Sequence, residues 1–407
     1  MRGRRQIGTR RIKPSSIDVL IVGAGAAGMM CAIEAGRRGR SVRIIDHARA
    51  PGEKIRISGG GRCNFTNLEA DRVDRFLGEN PRFATSALKR FSPRDFVARV
   101  DRCGIGWHEK TLGQLFCDDS AKQIVRMLTD GMSNAGAILS LGLGVDRVTR
   151  VGQGFEAALS DGNTVRASAL VLATGGKSIP KMGATGWAYE TARRFGLRVT
   201  ETRPALAPLT FDPDWLGRWS GLAGVSVDAV VQHGRTAFRE GLLFTHRGLS
   251  GPSILQISSY WREGESIRLS LAPGHDVFAE LKTAKAQNGR QAARTALARI
   301  APQRLADRLT HEAGLTGTLA DAPDKALRGI DQAVNAWDVK PTGSEGYRTA
   351  EVTLGGVATD QLDQQTMQAK SVPGLYVVGE AADITGWLGG YNFQWAWSSG
   401  WAAGQVC

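Results

Sequence analysis

The chain has 407 residues, of which 42% are hydrophobic and 22% charged, enough for two or three domains around a sizeable core. Its 52 basic and 39 acidic residues leave a net charge of +13, and no apolar run approaches the ~18 residues of a membrane span. Five cysteines, at positions 31, 63, 103, 117 and 407, form no CxxC pair and no metal-ligand cluster, which excludes a disulfide scaffold and a structural metal and points to a reducing cytoplasm.

Residues 1–15 read as a basic tail, with Arg2, Arg4, Arg5, Arg10, Arg11 and Lys13 unopposed by any acid. A solvated, disordered arm is expected, and contact with RNA or another acidic partner is the alternative. The tail lacks the apolar region of a secretory signal.

Ile17–Val22 has the branched apolar composition of a buried parallel strand. It runs into Gly23-Ala24-Gly25-Ala26-Ala27-Gly28, a helical pattern follows to about Arg38, and Ser41–Asp46 supplies a second strand. In such a βαβ unit the first glycine makes the tight turn, the second admits a pyrophosphate to the backbone, and the third lets helix and strand pack closely. The free amides at the helix start carry partial positive charge suited to that pyrophosphate. Asp46, with His47 beside it, falls where a carboxylate accepts the hydroxyls of an adenosine ribose. Nicotinamide and flavin dinucleotides share this fingerprint, so the rest of the chain must choose.

The next segment, Pro51–Asn67, carries Lys54, Ser58, Gly59, Gly60, Gly61, Arg62, Cys63 and Asn64. Three consecutive glycines hold neither helix nor strand, but they can lay backbone against a flat ring and offer amides to its polar edge. That position suits the isoalloxazine end of an extended FAD. Cys63 reads either as a small buried residue against the flavin or as a reactive thiol.

Leu141–Val148 is expected to be the strand whose backbone meets adenine, at Val145. Ala169–Gly176 is a strand ending in Ala173-Thr174-Gly175-Gly176, where flavoproteins of the glutathione-reductase and fumarate-reductase type carry a similar segment.

The pattern changes near Phe195. Val225–Val231 and Ser266–Leu271 alternate as half-buried strands, and His275–Trp337 is Ala-, Arg- and Gln-rich at helical spacing. The expected organisation is a first FAD-binding part at 16–194, a β-rich insert at 195–275, a helical insert at 276–344 and a second FAD-binding part at 345–407. The cleft between domains is the natural place for a small-molecule substrate. Within the insert, Phe244–Pro252 is a polar, Gly-punctuated loop in which His246 could donate a proton and Arg247 or Ser250 could orient a carbonyl. The bland alternative is a turn whose His and Ser serve only the local backbone.

The last segment, Val372–Asp383, is a strand ending in Gly379-Glu380, with Asp383 placed to bind ribityl hydroxyls. A second glycine turn, Gly389-Gly390-Tyr391-Asn392, precedes a helix from Phe393 to Ala403, whose start would aim its amides at the flavin N1–C2=O edge. The fold class is therefore α/β: a doubly wound, Rossmann-like FAD-binding domain with an inserted β-barrel-like plus helical domain.

These segments resemble the BaiN-like (3-dehydro-bile-acid Δ4,6-reductase-like) flavoproteins. The resemblance rests on KIRISGGGRCNFTN at Lys54–Asn67, ATGGKSIPKMG at Ala173–Gly183, PALAPL at Pro204–Leu209, FTHRGLSGP at Phe244–Pro252, VTLGGV at Val352–Val357 and the stretch Gly374–Gly400. It implies FAD, the doubly wound domain and the insert. Trp187 stands where that family often has an acid, so a bile-acid substrate is not carried over. The absence of a redox cysteine pair excludes flavin-disulfide chemistry, and no second GxGxxG unit offers a dedicated nicotinamide domain. The expected activity is FAD-dependent reduction of an electron-poor C=C, by hydride transfer from flavin N5, with NAD(P)H docking transiently as donor. The alternatives are an FAD oxidase or dehydrogenase running in the opposite sense, and a flavin-bearing protein that interacts with RNA.

Overall fold

A computed structural model describes residues 16–407, and the basic tail of residues 1–15 lies outside the described residues. The chain divides into two compact units. The first runs to Gly176, takes in Thr185–Thr200 and resumes at Gly355–Cys407; the second comprises Lys177–Ala184 and Glu201–Leu354.

The labelled elements of the first unit, in chain order, are β1 (Ser16–Val22), α1 (Ala26–Arg37), β2 (Val42–Asp46), β3 (Asn64–Asn67), α2 (Pro93–Arg102), β4 (Trp107–Glu109), β5 (Gln114–Cys117), α3 (Ala121–Asn134), β6 (Ile138–Leu141), β7 (Val145–Val151), β8 (Gly154–Leu159), β9 (Thr164–Leu172), β10 (Leu375–Val377) and α4 (Tyr391–Gly404). The parallel core of the sheet runs β6-β2-β1-β9-β10. Val19–Val22 and Leu170–Leu172 are buried along it, as a parallel sheet covered on both faces demands. The meander β7-β8 adds antiparallel to the first half of β9. β3, β4 and β5 form a separate small antiparallel sheet in the order β3-β5-β4.

Helix α4 anchors this unit. Trp395 and Trp397 are almost wholly buried, and burial of aromatic side chains this size contributes at most roughly 4–6 kcal/mol each. Their indole nitrogens are satisfied: Trp395 donates to the Gly379 carbonyl at 2.9 Å and Trp397 to that of Phe65 at 2.8 Å. Trp397 stacks on Phe96 of α2 with ring centroids 4.5 Å apart. Gly400 brings α4 against α1, since a Cβ there would sit 2.3 Å from the Ala27 carbonyl oxygen.

The second unit is built on a seven-stranded antiparallel sheet, ordered Trp337–Val339, Ile267–Ser270, Ser226–His233, Thr236–Thr245, Gly248–Ser250, Leu209–Thr210, Gly343–Ser344. Ser226–His233 alternates buried and exposed side chains, the pattern of a strand with one face on a core. Four helices follow within the same unit, Val277–Gln287, Ala293–Leu297, Gln303–Glu312 and Asp324–Asn335. Asp276 caps the first by accepting from the Ala279 amide at 2.9 Å. Phe211, Trp215, Trp219 and Trp337 form an aromatic cluster, with Phe211 and Trp215 stacked at 4.0 Å and Trp219 and Trp337 tilted at 4.5 Å. No helix among the described residues is long and apolar enough to cross a membrane.

Candidate functional site

β1 ends where the chain must leave a fully buried strand and enter α1, and the glycines make that passage possible. Gly23 adopts φ +111°, and a Cβ there would lie 2.4 Å from the Ala173 carbonyl oxygen at the end of β9. A Cβ at Gly28 would lie 1.9 Å from the Gly23 carbonyl oxygen. Both are required by packing. Gly25 is different. Its φ is −86° and nothing lies within 4 Å of where its Cβ would be. Neither backbone nor neighbours call for glycine there, so the open space is room for a ligand at the helix start, beside the amides of Ala26, Ala27 and Gly28.

Asp46 closes the turn. One carboxylate oxygen accepts from the Ala24 amide at 2.7 Å and the other from Ala48 at 2.8 Å. Each keeps further lone-pair capacity, as a carboxylate meeting ribose hydroxyls needs. His47 is exposed, its Nδ1 3.7 Å from Asp46. The loop before Val145 returns to the same place, with the Leu143 amide donating to the Asp46 carbonyl at 3.0 Å and Gly142 to that of Ala48 at 2.9 Å. Val145 itself opens β7 and is buried.

Segments far apart in sequence meet around Gly175. Lys54 and Glu380 form an ion pair at 2.9 Å, and a Cβ at Gly175 would sit 3.7 Å from the same Glu380 oxygen. Thr174 leaves its hydroxyl oxygen buried and without a partner. A buried, orphaned hydroxyl costs about 1–3 kcal/mol unless something satisfies it, so it is a second sign of a bound group here. Together the open Gly25 and the orphaned Thr174 fit an extended dinucleotide.

The triple glycine forms one tight turn, Ser58–Gly61, with Gly59 and Gly60 left-handed. Gly59 is crowded by the Phe116 ring at 2.7 Å, while Gly60 meets nothing. Ser58 donates to the Ile55 carbonyl and Arg62 is exposed. Cys63 is fully buried with φ +52°, and burial pushes its thiol far above the usual range. That is a packed, protonated side chain with no path to solvent. The strand that follows, beginning at Asn64, carries Thr66, which donates to Gln394 of α4 at 2.6 Å.

The C-terminal turn packs on this loop. A Cβ at Gly390 would sit 2.4 Å from the Thr66 backbone, and one at Gly389 would meet the Gln114 side chain at 2.9 Å. The Asn67 amide holds the Leu112 and Gly389 carbonyls together, at 2.9 and 3.0 Å. Asn392 is engaged in closing its own turn, bonding both the amide and carbonyl of Gly386. Tyr391 is buried, and burial lifts its hydroxyl to about 12. Asp383 is buried as well. It accepts from the Glu79 amide at 3.0 Å and from Thr200, and desolvation raises its carboxyl. Sequence reasoning passed over Gln114, Gln394 and Leu112, which sit in short segments whose partners lie far along the chain.

His246 and Ser250 belong to the second unit. His246 is exposed on the turn between Thr236–Thr245 and Gly248–Ser250, and Ser250 stands opposite Leu243 in the ladder. Among the described residues no three His, Cys, Asp or Glu side chains gather as metal ligands.

The family model described as the HI0933-like protein Rossmann domain matches residues 17–406. A ribosomal RNA dihydrouridine synthase of Escherichia coli K12 is 49% identical over 95% of this chain and 97% of its own length. A protein of the same name from Haemophilus influenzae is 42% identical over 94% of this chain and 96% of its own. A 3-dehydro-bile acid delta(4,6)-reductase of Clostridium scindens is 29% identical over 95% and 98%. The likeness to that reductase spans the chain, as the BaiN-like resemblance implied, but its identity is well below that of the two synthases. The chain belongs to the HI0933-like family of FAD-binding Rossmann proteins, and is an oxidoreductase of that family.

Proposed function

We propose that this protein reduces the C5=C6 bond of a uracil base in ribosomal RNA, with FAD as its cofactor and a reduced nicotinamide as electron donor. The observation that carries the reading is the 49% identity to a ribosomal RNA dihydrouridine synthase, extending over nearly the whole of both chains. The bond class agrees with it. Both kinds of relative are named for saturating a carbon–carbon double bond, and in uracil that bond is conjugated to the C4 carbonyl and so electron-poor. The net charge of +13 suits a polyanionic substrate.

When bound, FAD would supply the hydride for C6 of the uracil, with a proton taken up at C5 and the two electrons replaced by the reduced nicotinamide. The chain's own residues do the holding. The amides of Ala26, Ala27 and Gly28 and the gap at Gly25 receive the pyrophosphate. Asp46 binds the adenosine ribose. Lys54 is kept by Glu380 beside Gly175, and the orphaned Thr174 hydroxyl gains a partner. The N-terminal amides of α4, starting at Gly390, stabilise negative charge on the carbonyl edge of the ring.

The test is direct. The FAD-loaded protein is incubated anaerobically with NADH or NADPH and with ribosomal RNA from cells lacking its gene, and nucleosides are then quantified by mass spectrometry. Dihydrouridine is expected. Its absence with both nicotinamides and with chemically reduced enzyme would defeat the reading.

A further inference from the structure

Three of the six large hydrophobic side chains that stand exposed among the described residues, Ile57, Leu68 and Leu112, lie on the loops that build the candidate flavin site. Leu112 is the extreme case, 64% exposed at the tip of the β4–β5 hairpin. Its backbone is left-handed, φ +58° and ψ +34°, a conformation that costs a residue with a Cβ about 1–2 kcal/mol. An exposed leucine has no reason to be there on its own account, because glycine at this position would relieve the strain and lose no packing. The turn is nonetheless held firmly. Asn67 donates to the Leu112 carbonyl at 2.9 Å, and the same amide donates to Gly389 at 3.0 Å. The Leu68 amide bonds the Gly113 carbonyl at 2.9 Å, which sets a second exposed leucine beside the first. One side-chain amide thus ties the hairpin tip to the glycine turn that starts α4.

The chemistry of the reaction proposed above asks for such a feature. Hydride must approach C6 perpendicular to the uracil plane, and in structured RNA stacked neighbours cover both faces. The base has to leave the stack before it can react. An extruded base leaves a gap, and proteins hold such gaps open with an apolar side chain inserted between base steps. Positive charge flanks the tip: Lys110 is exposed two residues before Leu112, and Arg62 is exposed before the neighbouring strand β3. Among the described residues neither forms an ion pair with a carboxylate, whereas Arg72 and Arg75 are paired with Glu69 and Asp74.

We propose that Leu112 is a wedge that enters the RNA stack beside the target uridine and holds that base out for reduction. Lys110 takes the adjacent phosphate. The proposal rests on the ribosomal RNA reading and specifies how that substrate is presented. It makes Leu112 a positioning residue, with no part in the bond-making itself.

The experiment compares the full-length wild type, Leu112→Gly and Leu112→Met on two probes: intact folded ribosomal RNA from cells lacking this gene, and the same RNA cut to short single strands. Leu112→Gly is expected to fold with an equal or higher melting temperature and unchanged flavin content. It should lose at least about tenfold in dihydrouridine formation on folded RNA, as unstacking becomes unassisted, and less than about threefold on the fragments. Leu112→Met, which keeps an apolar wedge, should stay close to wild type on both. A second readout needs no turnover. Permanganate attacks the C5=C6 bond of unstacked uridines, so wild type without reductant should create a hyper-reactive uridine in folded RNA that Leu112→Gly does not. Equal rates of wild type and Leu112→Gly on folded RNA, or equal losses on both probes, would overturn the wedge while leaving the ribosomal RNA reading intact. A wild type that makes no dihydrouridine from either probe would remove both.

Discussion

Two glycine-punctuated turns, one in each unit, look alike in sequence and differ in structure. In Gly23–Gly28, two glycines are demanded by crowding and one, Gly25, is demanded by nothing in the protein. In Phe244–Pro252, both glycines are accounted for. A Cβ at Gly248 would meet the Leu209 carbonyl oxygen at 2.2 Å, and one at Gly251 would meet that of Gly241 at 2.5 Å, each with positive φ. The lesson is that a glycine signals a ligand only where its own backbone and its neighbours leave it unexplained. By that criterion the first turn has room for a ligand, and the second is a tightly packed hairpin.

The comparison can be broken at its strongest point by placing a side chain in each turn. Gly25→Val should leave the fold intact, yet weaken FAD binding at least about 100-fold, or ~2.7 kcal/mol, as read by flavin absorbance and calorimetric titration. Gly251→Val should do the reverse, costing about 3 kcal/mol or more in a urea midpoint measurement with the flavin content of the folded fraction unchanged. If Gly25→Val kept its flavin, the cradle assignment would fail.

Asp46→Ala sharpens the same point with a smaller effect. It removes the acceptor of two backbone amides along with the ribose contact, so FAD affinity should drop about 10- to 100-fold. A loss of stability without a loss of affinity would make Asp46 only the clasp of the turn.

A pH titration separates packed from working side chains. Burial raises the Cys63 thiol, and lifts Cys117, Tyr376 and Tyr391 each to about 12. The unfolded chain releases these protons from about pH 8.5 for cysteine and 10 for tyrosine while the folded chain keeps them. The unfolded state then binds fewer protons, so stability should decline steadily from about pH 8.5 upward. Urea midpoints between pH 7 and 11 read this directly, and a flat profile would deny the enclosure of these groups. Thiol labelling of the native protein near pH 8 should reach the exposed Cys103 and spare Cys63.

The smallest effect is expected at the second turn. His246 is exposed and its neighbouring glycines are explained by packing, so His246→Ala should change turnover by about two- to threefold, the size of an ordinary surface substitution. A hundredfold fall would instead make it the proton donor.

The parts of this protein that could be read from its sequence are those whose cause is local. β1, its glycine turn, α1 and β2 follow from an apolar run, a helical period and three glycines within thirty-odd residues. The helix after Gly390 was equally plain, although it starts at Tyr391 rather than Phe393, because Gly386 and Asn392 close the turn just before it. What escaped depends on partners far along the chain. Glu53–Ile57 is a short helix and Asn64–Asn67 a strand within what reads as a single loop, and that strand exists only because Gln114–Cys117 pairs with it. The left-handed backbone at Leu112 has no sequence signature, since it is imposed by Asn67.

The close approach of α1 and α4 at Gly400 has a consequence for biosynthesis. Helix α1 emerges from the ribosome long before α4, the helix that lies against it. The first half of the nucleotide fold therefore waits with an apolar flank uncovered until α4 is made. Cofactor capture is in this sense a late checkpoint, and a nascent chain stalled before α4 is a natural client for chaperones.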